Sequence, residues 1–356
     1  MKKNKLLFLV FVIGAAVSSC KKDNNTTTAP KVTTGVYVLS EGLFNMNNTT
    51  LSYYNFSTSA QTTDFYAATN GSGLGDTGND ILIYGGKMYI VVNVSSYLDV
   101  SDARTAKSIK KIDFKTAGTP RQPRFVIAYK NKVLVSAYDG TVAVIDTTSL
   151  AIEKNITVGP NPEQMAIFGD KLYVTNSGAY NTVPDSTVSV INLNTFTELQ
   201  KIVVGGLNPS TIVADDAGNI YIGCNGDYSP AHRPRLVKVN TANNTIVKSA
   251  DTAVGKFRYY NGLLYATGGY SGSPYVRALS TTDFSQKSAN FVTDGTSITM
   301  PYGLNIDADN GDVYVTDAKD YVSSGQVFCF DKTGKKKFSF SVSPGINPNT
   351  VAIIKQ

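Results

Sequence analysis

Pro348-Asn349-Thr350-Val351-Ala352-Ile353-Ile354 is an apolar, β-branched segment opened by a proline, and no partner strand follows it before the chain ends. Proline suits the first residue of a strand, where no ladder donor is needed. At the other end, Gly35-Val36-Tyr37-Val38 has the character of a strand that should follow such a segment, yet none precedes it. The two fragments complete each other. Pairing them would join the first part of the chain to the last and leave no open sheet edge.

The segments between repeat this logic. A turn residue followed by an apolar-aromatic strand recurs seven times, centred on residues 37, 89, 134, 173, 221, 265 and 314, at spacings of 52, 45, 39, 48, 44 and 49. Tyrosine occupies that centre in all but the third copy, which has Leu134. After each copy comes a second strand ending in Asp, Asn or Ser, as in Val142-Ala143-Val144-Ile145-Asp146 and Val188-Ser189-Val190-Ile191-Asn192. Such residues turn the chain by bonding backbone two residues on. Third comes a returning strand, as at 152–158, 198–204 and 337–342. Pro123, Pro162, Pro209, Pro301 and Pro348 then announce the next unit. Four antiparallel strands in roughly 45 residues describe a propeller blade. The expected fold is all-β, a seven-bladed β-propeller whose N- and C-terminal strands close one shared blade. Neither half of such a ring could bury its sheets alone, so residues 35–356 are read as one domain. No segment carries a helical period of useful length.

Composition agrees. The 356 residues are 42% hydrophobic but only 17% charged, with 30 Gly, 21 Tyr, 16 Phe and no Trp. One histidine and three cysteines exclude a His-rich metal site and a Cys₄ zinc site. Any Ser-His-Asp or Cys-His chemistry would rest on His232. That residue sits in a Pro-rich loop, 228–235, with no orienting partner evident in sequence. Gly73-Leu74-Gly75-Asp76-Thr77-Gly78 matches G-x-G-x-x-G, but a strand follows it rather than a helix, so it reads as a crossing between blades. Cys224 and Cys329 fall in strands of non-adjacent blades and are expected as buried free thiols. Asp317 and Asp320 could contribute to a site that sequence alone cannot pair.

Lys2, Lys3 and Lys5 precede an apolar run from Leu6 to Ala16, too short to span a bilayer, and then Val17-Ser18-Ser19-Cys20. Small residues before a cysteine resemble a bacterial lipobox. Residues 1–19 are therefore expected to be a lipoprotein signal peptide, Cys20 the lipid attachment site, and 20–34 a flexible tether. Removing the three lysines lowers the formal charge from +6 to +3, which offers no case for nucleic acid. Cys20-Lys21-Lys22-Asp23 resembles the start of Bacteroidota lipoproteins destined for the outer membrane, with the cell surface expected over the periplasmic face.

The loops between second and third strands should gather on one face of the ring. They carry Phe44, Tyr97, Tyr138, Tyr180, Tyr228, Tyr270 and Tyr321 among Gly, Asn, Asp and Ser, a composition suited to adaptable binding loops. Arg121 and Arg124 flank the start of an inner strand on the same face and could meet an anion. With Asp317, these are the candidate ligand-binding residues. No catalytic, metal or cofactor set is expected.

The strand and hairpin motifs, with Val144-Ile145-Asp146-Thr147-Thr148-Ser149 followed by Ile156-Thr157-Val158-Gly159-Pro160-Asn161-Pro162, resemble the YncE-like surface-layer propellers over residues 35–356, in particular their Bacteroidota lipoprotein branch. That branch includes surface cobalamin-binding lipoproteins that work with a TonB-dependent outer-membrane transporter. The resemblance implies a non-enzymatic, monomeric, lipid-anchored protein that captures a small molecule such as a corrinoid, or a glycan, for a transporter. An adhesion or cell-envelope scaffold, and a propeller lyase or lactonase, are the alternatives.

Overall fold

The computed structural model describes residues 32–269 and 272–355. Each apolar segment singled out above is a strand, and they assemble into seven four-stranded antiparallel sheets arranged as blades. The inner strands of blades 1 to 6 are Gly78–Tyr84, Pro123–Tyr129, Pro162–Phe168, Pro209–Ala214, Phe257–Tyr260 and Pro301–Ile306. In the seventh blade the inner strand is Pro348–Lys355, from the end of the chain. It pairs with Thr33–Ser40, which pairs with Thr50–Asn55 and then Gln61–Thr62. Val36 stands opposite Ile353, and Val38 opposite Val351. The ring closes by pairing one end of the chain with the other.

Details depart from the sequence reading for local reasons. The first strand opens at Thr33, because Thr33 pairs with Lys355 across a bulge. Blade 5 lacks the leading proline, and its inner strand shortens to Phe257–Tyr260. Gly255 N–H to Thr267 O (2.7 Å) and Thr267 N–H to Lys256 O (2.9 Å) carry the pairing beyond it. One helix, Phe65–Asn70, lies in the crossing from blade 7 to blade 1. Six residues are too few for a periodic pattern to register.

Buried apolar side chains form seven clusters, and each joins two neighbouring blades. The repeated central tyrosine explains part of this. Tyr37, Tyr173 and Tyr221 are fully buried. Each sends its hydroxyl to a turn of the next blade: Tyr37 to Arg104 O (3.2 Å), Tyr173 to Thr241 O (3.5 Å), Tyr221 to Thr281 O (3.5 Å). Tyr221 also donates to Asp215 Oδ2 at 2.8 Å. The hydroxyl of the equally buried Tyr89 has no partner among the described residues. Cys224 and Cys329 are buried free thiols, and burial pushes both up to about 12.

These tyrosines should therefore differ. Tyr221→Phe removes a bonded hydroxyl and should cost about 1 kcal/mol. Tyr89→Phe removes a desolvated, unpaired one and should be neutral or stabilising. Chemical denaturation of the two variants beside wild type checks this.

Candidate functional site

Each inner strand begins on the face that carries the loops between second and third strands, because the inner strand runs away from that face and the second strand returns to it. The side chains just inside each start converge on the mouth of the central channel. They are Asn79, Arg124, Glu163, Ser210, Tyr302 and Asn349, each second in its strand, with Lys256 in the corresponding place of blade 5.

These groups are bonded to one another. Arg124 Nε donates to Glu163 Oε2 at 2.9 Å, and Arg124 Nη1 donates to Asn79 Oδ1. Asn349 Nδ2 donates to Asn79 O at 2.6 Å. The Tyr138 hydroxyl donates to Glu163 Oε1, and the Arg124 guanidinium lies 4.7 Å from the Tyr138 ring centroid. Burial works against the charge on Arg124, but Glu163, Tyr138 and Glu41 together outweigh it and hold the guanidinium above its ordinary pKa.

Across the mouth, Tyr302 Oη donates to Glu41 Oε2 at 2.8 Å. Burial raises both pKa values, so that proton stays on the pair. Lys256 Nζ lies 4.8 Å from the Tyr302 ring centroid and makes a long bond to Asn349 O, 3.4 Å. Burial lowers its pKa to about 8 despite the Glu41 carboxylate nearby. Around these groups lies a cavity of about 290 Å³, walled also by Phe125, Gln164, Thr211, Asn225 and Tyr321. Below it, the channel proper encloses about 540 Å³ among inner-strand aliphatics, with Asp80, Gln164, Arg258, Asn305 and Thr350 as its polar members. Burial lifts Asp80 to about 6, against the hydrogen bond from Val126 N–H at 3.0 Å.

Of the residues expected from sequence, the structure brings Arg124, Tyr138, Tyr180 and Tyr321 to this mouth. Tyr180 is exposed and stands edge-on to Tyr138 at 5.4 Å, and Tyr321 meets Tyr302 in the same way at 5.8 Å. Others do different work. Arg121 is buried and spends its donors on Asp139 (2.7 Å), Thr141 (2.7 Å) and Asn155 (2.8 Å). Asp317 is buried and accepts the backbone N–H groups of Thr299, Met300 and Lys319, pinning the crossing into blade 6. Tyr97 is not in a loop: it opens the third strand of blade 1, Tyr97–Asp102, whose apolar-polar run reads as part of the loop in the sequence, and it donates its hydroxyl to Leu74 O. Phe44 and Tyr228 project into solvent, 70% and 96% exposed, and do not line the cavity. Asp320 closes its own turn through Val322 N–H and Ser323 N–H. Tyr270 and Cys20 lie outside the described residues.

Glu41, Glu163, Lys256, Arg258 and Tyr302 were not singled out in the sequence. The prolines held the signal: the residue after each of Pro123, Pro162, Pro209, Pro301 and Pro348 faces the mouth. His232 does have an orienting partner, Asp227, whose Oδ2 is 2.6 Å from Nδ1. Ser229 Oγ is 3.5 Å from that same nitrogen, so the three do not form a relay through both ring nitrogens. Among the described residues no cluster of His, Cys, Asp and Glu could hold a metal ion, and no helix is long and apolar enough to cross a membrane.

A model of the family described as a domain of unknown function, DUF5074, matches residues 34–347. Among curated proteins no sequence matches the chain. A quinonprotein alcohol dehydrogenase-like protein of Bacteroides thetaiotaomicron superposes with a TM-score of 0.65 at 18% identity, covering 91% of this chain and 79% of that one. Kuenenia stuttgartiensis hydrazine synthase gives 0.59 at 16% identity over 72% and 76% of the two chains. The Neurospora crassa Pan2 WD40 domain gives 0.55 at 11% identity over 76% and 80%. At these identities the likeness is one of fold.

The sign of the Lys256 effect can be tested directly. A lysine whose pKa falls from 10.5 unfolded to about 8 folded binds fewer protons when folded in that window. Its contribution to stability therefore rises as pH goes from about 8 to 10.5. Denaturation midpoints measured across that range should increase more in wild type than in Lys256→Met.

Proposed function

The chain belongs to the DUF5074 family, whose description assigns no activity, and we propose from its site that it is a non-enzymatic ligand-binding propeller that takes one end of a polar ligand into the mouth of its channel. The observation that carries this reading is the pocket itself: about 290 Å³, with Arg124, Lys256, Gln164, Ser210 and Asn225 for polar groups and Tyr302, Tyr321 and Phe125 for a ring face. That volume is at the lower bound of ligand pockets, about 300–1,000 Å³. One sugar or ring system fits, while the rest of a larger ligand would lie across the exposed side chains of neighbouring loops, Tyr180 among them. The mouth carboxylates are already committed, Glu163 to Arg124 and Tyr138, Glu41 to Tyr302, which suits binding better than proton transfer.

The wider role proposed is that of a lipid-anchored outer-membrane protein at the cell surface, attached through Cys20. It would capture a corrinoid or glycan and pass it to a TonB-dependent transporter, as the YncE-like resemblance implies. A lyase or lactonase reading draws on one observation, the burial-lowered Lys256 amine beside Tyr302.

Calorimetric titration of the full chain with corrinoids and with oligosaccharides tests the binding reading. Tyr302→Ala and Tyr321→Ala should each weaken the bound ligand by about tenfold, the share of one aromatic contact. Ile109→Ala, on an outer strand, should leave it unchanged. Unaltered affinity in both tyrosine variants would move the site elsewhere. Product formed from the ligand by the purified chain would replace binding by catalysis.

A further inference from the structure

Two cations at this mouth have more donors than partners. An ammonium offers three N–H groups and a guanidinium five. Among the described residues, Lys256 Nζ makes one bond, to Asn349 O at 3.4 Å, and no carboxylate lies within ion-pair distance. Arg258, two residues further along the same inner strand, makes one bond, from Nη1 to its own neighbour's carbonyl, Phe257 O, at 3.0 Å. It too has no carboxylate at ion-pair distance, although Asp80 shares the channel with it. Asp80 instead accepts the N–H of Val126. Arg124 differs, since Glu163 and Asn79 occupy it.

Half-buried charges with unfilled donors are costly, and the two cations also repel each other. An anion entering between them would supply acceptors to both. Lys256 lines the mouth cavity and Arg258 the channel beneath it, so that anion would sit at the cavity floor. Above the floor, Tyr302 and Tyr321 offer ring faces and edges, while Gln164, Ser210 and Asn225 offer amide and hydroxyl groups. A sugar ring presents a C–H face to the first set and hydroxyls to the second. A carboxylate carried on that ring answers the cations.

We propose that the mouth binds the uronic-acid end of an acidic oligosaccharide, its carboxylate held between Lys256 and Arg258. This rests on the reading of the mouth as a ligand site and names the ligand class for it. Carboxylate, rather than phosphate, is favoured by the local charge. Glu41 and Asp80 already act on Lys256, and Asp80 on Arg258, so a single negative charge meets less repulsion there than a phosphate dianion.

The test uses the full chain and three matched probes in calorimetry: digalacturonate, its methyl ester, and the neutral galactose disaccharide. Digalacturonate should bind at least tenfold more tightly than either uncharged probe, a comparison that needs no variant. Lys256→Met and Arg258→Met, checked for wild-type circular dichroism, should each remove that preference, so that the charged and uncharged probes bind alike. Inorganic phosphate should compete only weakly. Equal affinity for charged and uncharged probes would overturn the anion assignment, as would variants that keep the preference or phosphate that binds more tightly than digalacturonate. Failure of all three sugars to bind overturns the uronate proposal as well. If a corrinoid or another glycan then still binds and loses affinity in Tyr302→Ala, the mouth remains the site for a different ligand class.

Discussion

Everything in this molecule hangs on the antiparallel pairing of Thr33–Ser40 with Pro348–Lys355. The core is not one mass but seven packs between neighbouring blades, and two of them use blade 7. In one, Tyr37, Leu39 and Leu51 meet Met88 and Ile90. In the other, Val36 and Val38 meet Tyr314 and Val327. Unless the terminal strands pair, blade 7 is incomplete, both packs lose part of their surface, and blades 1 and 6 each bare a sheet face. The closure extends to the mouth, where Glu41 N–H donates to Asn347 O and Gly42 N–H to Ile346 O, each at 3.0 Å. Glu41 is thereby set opposite Tyr302, 261 residues away in the chain. The site exists only in the closed ring.

A propeller brings seven strand starts to one point, and that crowding explains the chemistry there. Backbone ends and polar side chains share a space with little water, so each charge is bonded to a neighbour or displaced in pKa. Arg124 and Glu163 satisfy each other across blades 2 and 3. Tyr302 and Glu41 do so across blades 6 and 7. Blade 5 breaks the pattern: blade 1 also opens on a glycine, followed by Asn79, but in blade 5 the opening glycine, Gly255, is followed by a lysine. Its cation consequently stands beside an aromatic ring instead of a carboxylate.

The fold was legible in the sequence because a propeller repeats the same physical request seven times. A Tyr at the centre of most second strands, an Asp, Asn or Ser at the end of the third and a Pro before most of the next are each weak alone, and their recurrence is not. The half-blades at 35–38 and 348–354 even disclosed the closure. The site was less legible. The candidate tyrosines and arginines were conspicuous, yet some serve the scaffold: Tyr97 opens a strand and bonds to the neighbouring crossing, and Arg121 neutralises Asp139. The residues that meet at the mouth come from six or seven distant segments. Seven of them share only an offset from a strand start, and in blades 1 and 5 the proline marking that offset is missing.

Thr33 and Lys355 stand side by side at the far end of the closing strand pair, whereas Ser40 and Pro348 stand at the mouth end. Both ends of the ring thus leave from the face opposite the cavity. The geometry acts as a polarity. Chain ends and mouth occupy opposite faces of the ring, so neither Thr33 nor Lys355 crowds the cavity.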